Sequence, residues 1–216
     1  MRYVLALLLV LITRPVLACE TPVCLVDPDS LALTRIITFE DTPGRYGPGH
    51  PVQDLLVLPG AVFGERFAGQ LVAAQGDHDL VSGDVLSPLT VVAGAPGQNL
   101  SVVFMQGNNV LNGYGVAGFP RRHAQGEGAI AFLFDEDQSA IAFQLRGGEA
   151  GSARVSFLNR NGTVISVLDL PPAGEHAFGF ARETGTGDIA GVLITNTDPQ
   201  GLALDNVRFG RAPDLS

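Results

Sequence analysis

Apolar and polar residues alternate along most of this chain in short runs, which are separated by glycine, proline, asparagine and aspartate. A period of two is typical of half-buried strands, and no long stretch has a helical period. Asn161-Gly162, between two such runs, is the strongest short-range signal of a β-hairpin. The clearest predicted strands are 100–105, 129–134, 140–145, 153–158, 163–170, 176–180, 189–195 and 202–209. The pattern predicts an all-β fold, a two-layer antiparallel β-sandwich with jelly-roll-like connections.

The first half of the chain has weaker signals. Short β-like pieces occur at 55–58, 61–63, 67–72 and 89–93. Residues 41–51 are rich in glycine and proline, which predicts a surface loop. Asp77-His78-Asp79 reads as a solvated polar turn, and 106–128 reads as a long loop rich in glycine and asparagine, with Tyr114 exposed. Loops of that length often carry recognition residues.

The last predicted strand contains a phase change. Leu202 and Leu204 alternate, and Val207 and Phe209 alternate, but the two pairs are out of phase. A β-bulge at Asp205-Asn206 would return all four side chains to one face. The run 36–41 near the start of the domain is the natural partner, so we expect the two terminal strands to lie side by side.

The chain begins with a short positive segment, an apolar run and a small residue at position 18. This arrangement is typical of a secretory signal peptide that is cleaved after Ala18. We therefore predict a signal peptide at 1–18, a leader at 19–35, a β-sandwich at 36–210 and a tail at 211–216. The mature protein would be secreted or periplasmic, with no transmembrane span after cleavage.

The two cysteines follow the predicted cleavage point. A disulfide between Cys19 and Cys24 would suit an oxidising compartment, and so short a loop would stabilise the fold by about 2 kcal/mol. The alternative is a lipoprotein signal, in which Cys19 carries lipid and tethers the domain to a membrane. Leu17 is bulky for such a signal, and Cys24 would then be unpaired.

Charge and motifs exclude several classes of function. The net charge is −9 and no basic stripe is present, which argues against a nucleic-acid partner. No nucleophile elbow and no metalloprotease motif occurs. An enzyme would have to rely on carboxylates such as Glu65, Glu127 and Asp135, because a glycosidase needs two acids across a cleft. We expect no enzyme and retain a polysaccharide hydrolase or lyase as the lesser alternative.

Three carboxylates would converge if the terminal strands pair, namely Glu40, Asp41 and Asp205. Close acids repel, and a hard cation with oxygen ligands, most plausibly Ca²⁺, would relieve that repulsion. The alternative is that one acid pairs with Arg35 or Arg208 while the others face water. The sequence leaves both possibilities open.

Three segments carry a resemblance to a known group. The segments 37–41, 155–163 and 204–209 resemble secreted bacterial jelly-roll domains akin to carbohydrate-binding modules. The resemblance implies a structural calcium where the first and last strands meet, and Glu40 and Asp205 are the corresponding positions. The chain departs from typical sugar binders because it has no tryptophan.

Two functions remain after these exclusions. The first is an exported, non-catalytic domain that binds a glycan or another cell-surface polymer. Its predicted rim contacts are Tyr46, Asn108, Asn109, Asn112 and Tyr114. The second is a structural or adhesive surface protein whose sheets bind another protein.

Overall fold

The computed structural model describes residues 19–171 and 174–211. The predicted signal peptide at 1–18 and residues 212–216 of the predicted tail lie outside the described residues. The strands are β1 Val23–Val26, β2 Leu33–Ile37, β3 His50–Val52, β4 Leu56–Leu58, β5 Ala61–Gly64, β6 Arg66–Phe67, β7 Leu71–Gln75, β8 His78–Ser82, β9 Val91–Val92, β10 Leu100–Met105, β11 Asn108–Gly113, β12 Ile130–Gln138, β13 Ala140–Gly147, β14 Ala153–Leu158, β15 Val164–Leu170, β16 His176–Arg182, β17 Ile189–Asn196 and β18 Leu202–Arg211. Two 3₁₀ helices span Pro28–Leu31 and Arg122–Ala124.

Two antiparallel sheets form the body of the protein. The eight-stranded sheet has the order β1-β16-β13-β18-β11-β10-β3, with β2 also paired to β18, and the six-stranded sheet has the order β15-β14-β17-β12-β5-β4. The predicted all-β sandwich is confirmed. Within the described ranges, no helix is long and apolar enough to cross a membrane.

Phenylalanine rings from both layers meet in the core. The ring centroid of Phe132 lies 5.4 Å from that of Phe63 in its own sheet and 6.4 Å from that of Phe143 in the facing sheet. Phe157 and Phe180 also meet across the layers, with centroids 5.0 Å apart. Edge-to-face and offset contacts of this kind add to the free energy gained by burying the rings.

The predicted bulge in the last strand is confirmed. Ala142 of β13 faces Arg208, and Gln144 faces Asp205, so β18 has one extra residue between these pairs. Asn206 has a φ of 50°, in the left-handed region that asparagine tolerates better than most residues. The bulge keeps the apolar side chains before and after it in the core.

The predicted pairing of the terminal strands is also confirmed. Strand β2 lies antiparallel to β18, with Ile37 opposite Val207 and Arg35 opposite Phe209. The guanidinium of Arg35 lies 4.5 Å from the centroid of the Phe209 ring. The ends of the sandwich are thus joined by backbone hydrogen bonds and by packing.

A second, smaller core covers the outer face of the six-stranded sheet. The segment between β5 and β10 folds back over that face and contributes Phe67, Leu89 and Val91. These side chains pack against Leu158 and Leu193 of the sheet. Where this segment covers it, the six-stranded sheet is apolar on both faces, and residues 130–134 of β12 and 189–194 of β17 read as nearly continuous apolar runs.

Four segments differ from their predicted structure. The predicted leader contains β1, which pairs with β16, and the predicted loop at 41–51 ends in β3. The predicted turn at 77–79 leads into β8, and the predicted loop at 106–128 contains β11. Polar residues or proline interrupt the alternation in the last three, whereas β1 is a four-residue apolar run next to Pro22. The predicted piece at 67–72 is also wrong, since it divides into parts of β6 and β7.

The predicted disulfide between Cys19 and Cys24 is present, and the two Cα atoms are 5.7 Å apart. A lipid thioether at Cys19 would use the same sulfur atom. The disulfide and the lipid anchor are therefore mutually exclusive.

The bulge makes a prediction about position 206. Asn206→Val should destabilise the protein by about 1–2 kcal/mol more than Asn206→Gly, because a β-branched residue is strained at positive φ and glycine is not. Both variants lose the side-chain hydrogen bonds of Asn206, so their difference isolates the backbone effect. Urea unfolding measures it, and equal stability of the two variants would contradict the assigned conformation.

Candidate functional site

The outward face of the eight-stranded sheet carries a group of polar side chains. Leu111, Phe143 and Leu145 point into the core. The residues between and beside them on β11 and β13 therefore point outward, because side chains alternate along a strand. The outward positions of three neighbouring strands hold Asn108 and Asn112 on β11, Asp205 on β18, and Gln144 and Arg146 on β13.

Three of these side chains form a closed circuit with Asn206 and Glu175, which we call the polar ring and define as Asp205, Asn206, Gln144, Glu175 and Arg146. Asn206 Nδ2 donates to Asp205 Oδ2 at 3.2 Å and to Gln144 Oε1 at 2.8 Å. Gln144 Nε2 donates to Glu175 Oε1 at 3.0 Å. Arg146 closes the circuit, with Nη2 3.2 Å from Glu175 Oε1 and Nε 3.8 Å from Asp205 Oδ2. The planar groups are held in place by one another.

Asp205 is the buried member of the ring. Its side chain is fully buried, and it accepts hydrogen bonds from Asn108 Nδ2 at 2.6 Å and from the Asn206 backbone N–H at 2.7 Å. Burial raises the pKa of Asp205, while these two donors and Arg146 lower it and Glu40 raises it. The net direction is upward. The carboxylate therefore depends on its neighbours to remain ionised.

A cleft of about 210 Å³ opens beside the ring, between β11, β13 and the turn before β18. Asn112, Arg146, Gln125 and Gln200 are among the side chains that line it. Asn112 Oδ1 and Arg146 Nε are buried and have no hydrogen-bond partner among the described residues. Buried polar atoms without partners are uncommon in folded proteins. Here they leave one acceptor and one donor next to the cleft.

The predicted ligand residues divide into two groups. Asn108 and Asn112 lie on the outward face, and Tyr46 is 74% exposed, with its ring packed edge-on against Phe104. The expectation of an exposed Tyr114 is wrong, because its ring is buried and its hydroxyl donates to Pro48 O at 2.7 Å. Asn109 is also buried, and its amide holds the backbone of residues 39–42. Asn109 and Tyr114 therefore support loops and do not line the cleft.

Two of the predicted metal ligands contact neighbouring residues of β11. Glu40 Oε1 accepts from the Asn109 backbone N–H at 2.9 Å, and Asp205 accepts from Asn108. Asp41 is exposed. Residues 19–171 and 174–211 contain no group of three or more histidine, cysteine, aspartate or glutamate side chains arranged to hold a metal ion.

The carboxylates considered for hydrolysis do not form one cleft. Asp135 is exposed, whereas Glu65 and Glu127 are buried. Glu65 pairs with Arg66, and Glu127 contacts His78 Nε2, which also lies 2.8 Å from the backbone oxygen of Asp198. The predicted solvated turn at 77–79 is therefore wrong, because His78 and Asp79 are packed against the sheet.

Two buried carboxyl groups at this place have strongly shifted pKa values. Burial raises the pKa of Asp79 to about 7, against the hydrogen bond from the Ala129 backbone N–H and with help from Glu65. Burial likewise raises the pKa of Glu127 to about 7, although His78 opposes the shift. These pKa shifts are not predictable from the sequence, because the burial comes from the β7–β8 hairpin folding onto the sheet.

Sequence reasoning found part of the polar ring. Asp205 and its neighbour Asn108 were identified, but Gln144, Arg146 and Glu175 were not. Their only signal is that Gln144 and Arg146 are polar positions in an otherwise apolar run. Which residues they face depends on strand order, which the alternation does not reveal.

Comparison with known proteins does not assign the chain to a family. No protein-family profile matches the chain, and no curated protein matches it significantly. The class that the structure defines is an all-β sandwich-like domain with a disulfide near its first strand.

The buried acids predict a pH dependence of stability. The folded state holds protons on Asp79 and Glu127 up to about pH 7, whereas the unfolded chain releases them near 3.8 and 4.5. The free energy of unfolding should therefore fall as pH rises between these limits and level off above them. Urea unfolding at about pH 5 and about pH 8 measures the difference.

Asp79→Asn should reduce that pH dependence, because the amide cannot ionise. Asp135→Asn is the control, since Asp135 is exposed. An undiminished slope in Asp79→Asn would contradict the burial of the Asp79 carboxyl.

Proposed function

We propose that this protein is an exported, non-catalytic domain that binds a glycan or a similar cell-surface polymer through the polar ring and the adjoining cleft. The observation that carries the proposal is the closed circuit of amide, carboxylate and guanidinium groups beside the buried acceptor Asn112 Oδ1, which has no hydrogen-bond partner among the described residues. Sugar hydroxyls donate and accept hydrogen bonds at once. Planar groups fixed in orientation suit such ligands, because little side-chain entropy is lost on binding.

The open face gives a long ligand room to lie across several strands. The outward surface of the eight-stranded sheet runs from Met105 on β10 to Glu175 on the other side of the polar ring. Met105 lines the cleft and offers an apolar contact. Tyr46 lies at the edge of the sheet, so stacking would supplement the hydrogen bonds without dominating them.

The disulfide supports export, because disulfides persist mainly in oxidising compartments. It also favours a secreted or periplasmic protein over one anchored by lipid at Cys19.

A structural or adhesive role through another protein is the alternative. Val57 on the edge strand β4 is 69% exposed, and an exposed edge strand can pair with a second chain. A stable complex with a protein in the absence of sugar would favour this role. A polysaccharide hydrolase is less well supported, because Glu65 and Glu127 are engaged in ion pairs away from the cleft.

A structural Ca²⁺ where β2 meets β18 is a further part of the proposal. Glu40 and Asp205 would supply carboxylate oxygens, and buried Asn109 Oδ1, which has no hydrogen-bond partner among the described residues, lies beside Glu40. Amide and carboxylate oxygens are ligands that Ca²⁺ accepts. The ion would hold together the two ends of the sandwich and would have no catalytic role.

Glycan binding is tested on an array with the correctly processed protein and three variants. Arg146→Met and Gln200→Ala should weaken binding, the first by about tenfold or more, because a hydrogen bond from a charged group contributes roughly 1.5–3 kcal/mol. Arg160→Ala, on a hairpin of the other sheet, is the control and should bind normally. Thermal unfolding verifies that each variant is folded, and a blank array for the folded wild type would refute the function.

Calcium is tested by thermal unfolding with added Ca²⁺ and with a chelator. Ca²⁺ at about a hundredfold excess over its Kd should raise Tm by about 5–10 °C, because only the folded state holds the ion. Asp205→Asn should abolish the shift, and Asp41→Asn should retain it. An unchanged wild-type Tm would exclude the ion.

A further inference from the structure

A second groove lies on the opposite side of the sandwich from the polar ring. It has a volume of about 360 Å³ and runs between the β7–β8 hairpin and the outer face of the six-stranded sheet. Its polar lining comprises Gln75, Asp79, Ser152, Arg154, Asp169, Thr195, Asn196 and Thr197. The volume is within the range of small-molecule sites.

One wall of the groove is a row of residues that face one another across three strands. Arg154 on β14 lies opposite Asp169 on β15 and opposite Thr195 on β17. Arg154 Nε and Nη2 donate to the two carboxylate oxygens of Asp169 at 2.7 and 3.0 Å. The bidentate pair neutralises both charges and holds the guanidinium flat. Thr195 adds a hydroxyl group next to it.

Asp79 forms the inner end of the groove. Its side chain is 5% exposed, and Oδ2 accepts from the Ala129 backbone N–H at 3.0 Å. Ala129 directly precedes β12, which places Asp79 in line with the row of Arg154 and Thr195. A carboxyl group that is largely buried and lines the groove is placed to contact a ligand there.

The charged groups around Asp79 come from three directions. Glu65, at the end of β5, raises its pKa, while His78 on its own strand and Arg66 on β6 lower it. Arg154 and Asp169 face it from the sheet and are paired with each other. Burial outweighs the rest, and the pKa of about 7 keeps the carboxyl protonated in mildly acidic solution.

We propose that this groove is a second saccharide-binding site, in which the Asp79 carboxyl recognises a hydroxyl or carbonyl oxygen of a neutral sugar and the Arg154–Asp169 pair contacts its hydroxyl groups. The inference rests on the proposed function for the class of ligand, but its residues belong to the other sheet. A protonated carboxyl donates one hydrogen bond, which complements an oxygen acceptor. A charged ligand would find no unpaired opposite charge, since Arg154 and Asp169 compensate each other.

Protonation of Asp79 makes binding in the groove depend on pH. When Asp79 ionises, its hydrogen-bond donor is lost and a buried negative charge faces the ligand oxygen. Binding in the groove should therefore weaken as pH rises through about 7.

Calorimetric titration with maltotetraose, cellotetraose and chitotetraose at about pH 5.5 and about pH 8.5 tests the inference. The wild type should bind two equivalents of at least one probe, one of them about tenfold or more weaker at the higher pH. Asp79→Asn, whose amide keeps a donor and an acceptor, should make both equivalents independent of pH. Arg154→Ala, a change at an exposed side chain, should remove the pH-dependent equivalent alone.

The titration distinguishes failure of the groove proposal from failure of the polar-ring proposal. One possible result is a single bound equivalent that Arg146→Met weakens but that Asp79→Asn and Arg154→Ala do not change. That result would overturn the groove site and retain the proposed function. A single equivalent that responds only to the groove variants would retain the groove and overturn the polar ring. No heat with any probe at either pH would overturn the inference.

Discussion

The structure depends on the burial of one apolar layer between two sheets, and a single left-handed residue makes that burial possible in the last strand. Without the bulge at Asn206, either Leu202 and Leu204 or Val207 and Phe209 would face outward. The same extra residue places the Asp205 carboxyl among polar groups on the outer face of the sheet. Core packing and the candidate site thus share one backbone irregularity.

The later strands could be predicted because each alternates cleanly and is bounded by turn residues, as in 153–158 and 202–209. The terminal pairing followed from matching β-rich runs. Strand β11 is hard to recognise because three of its six residues are asparagine, and β8 is hard to recognise because His78 and Asp79 resemble a turn. Several of their polar side chains bind distant segments, as the Asn109 amide does with residues 39–42. Local sequence carries no record of those partners.

A site residue is predictable from the sequence where it interrupts the pattern of its own strand. It is not predictable where its neighbours are determined by the order of strands in the sheet. Asp205 stood out because it breaks the alternation of its own strand. Arg146 and Glu175 are ordinary charged residues until β13 lies beside β18 and the loop before β16. The pKa values of Asp79 and Glu127 are raised by burial, and that burial depends on how the segment between β5 and β10 folds over the sheet.

The two layers of this sandwich are not equivalent. The outer face of the six-stranded layer is covered by the segment that contains Phe67, Leu89 and Val91. The outer face of the eight-stranded layer is open to solvent at the cleft beside the polar ring. The two outer faces of the domain therefore differ in chemistry. One presents hydrogen-bonding groups around Gln144 and Arg146, and the other presents the segment that packs over Leu158 and Leu193.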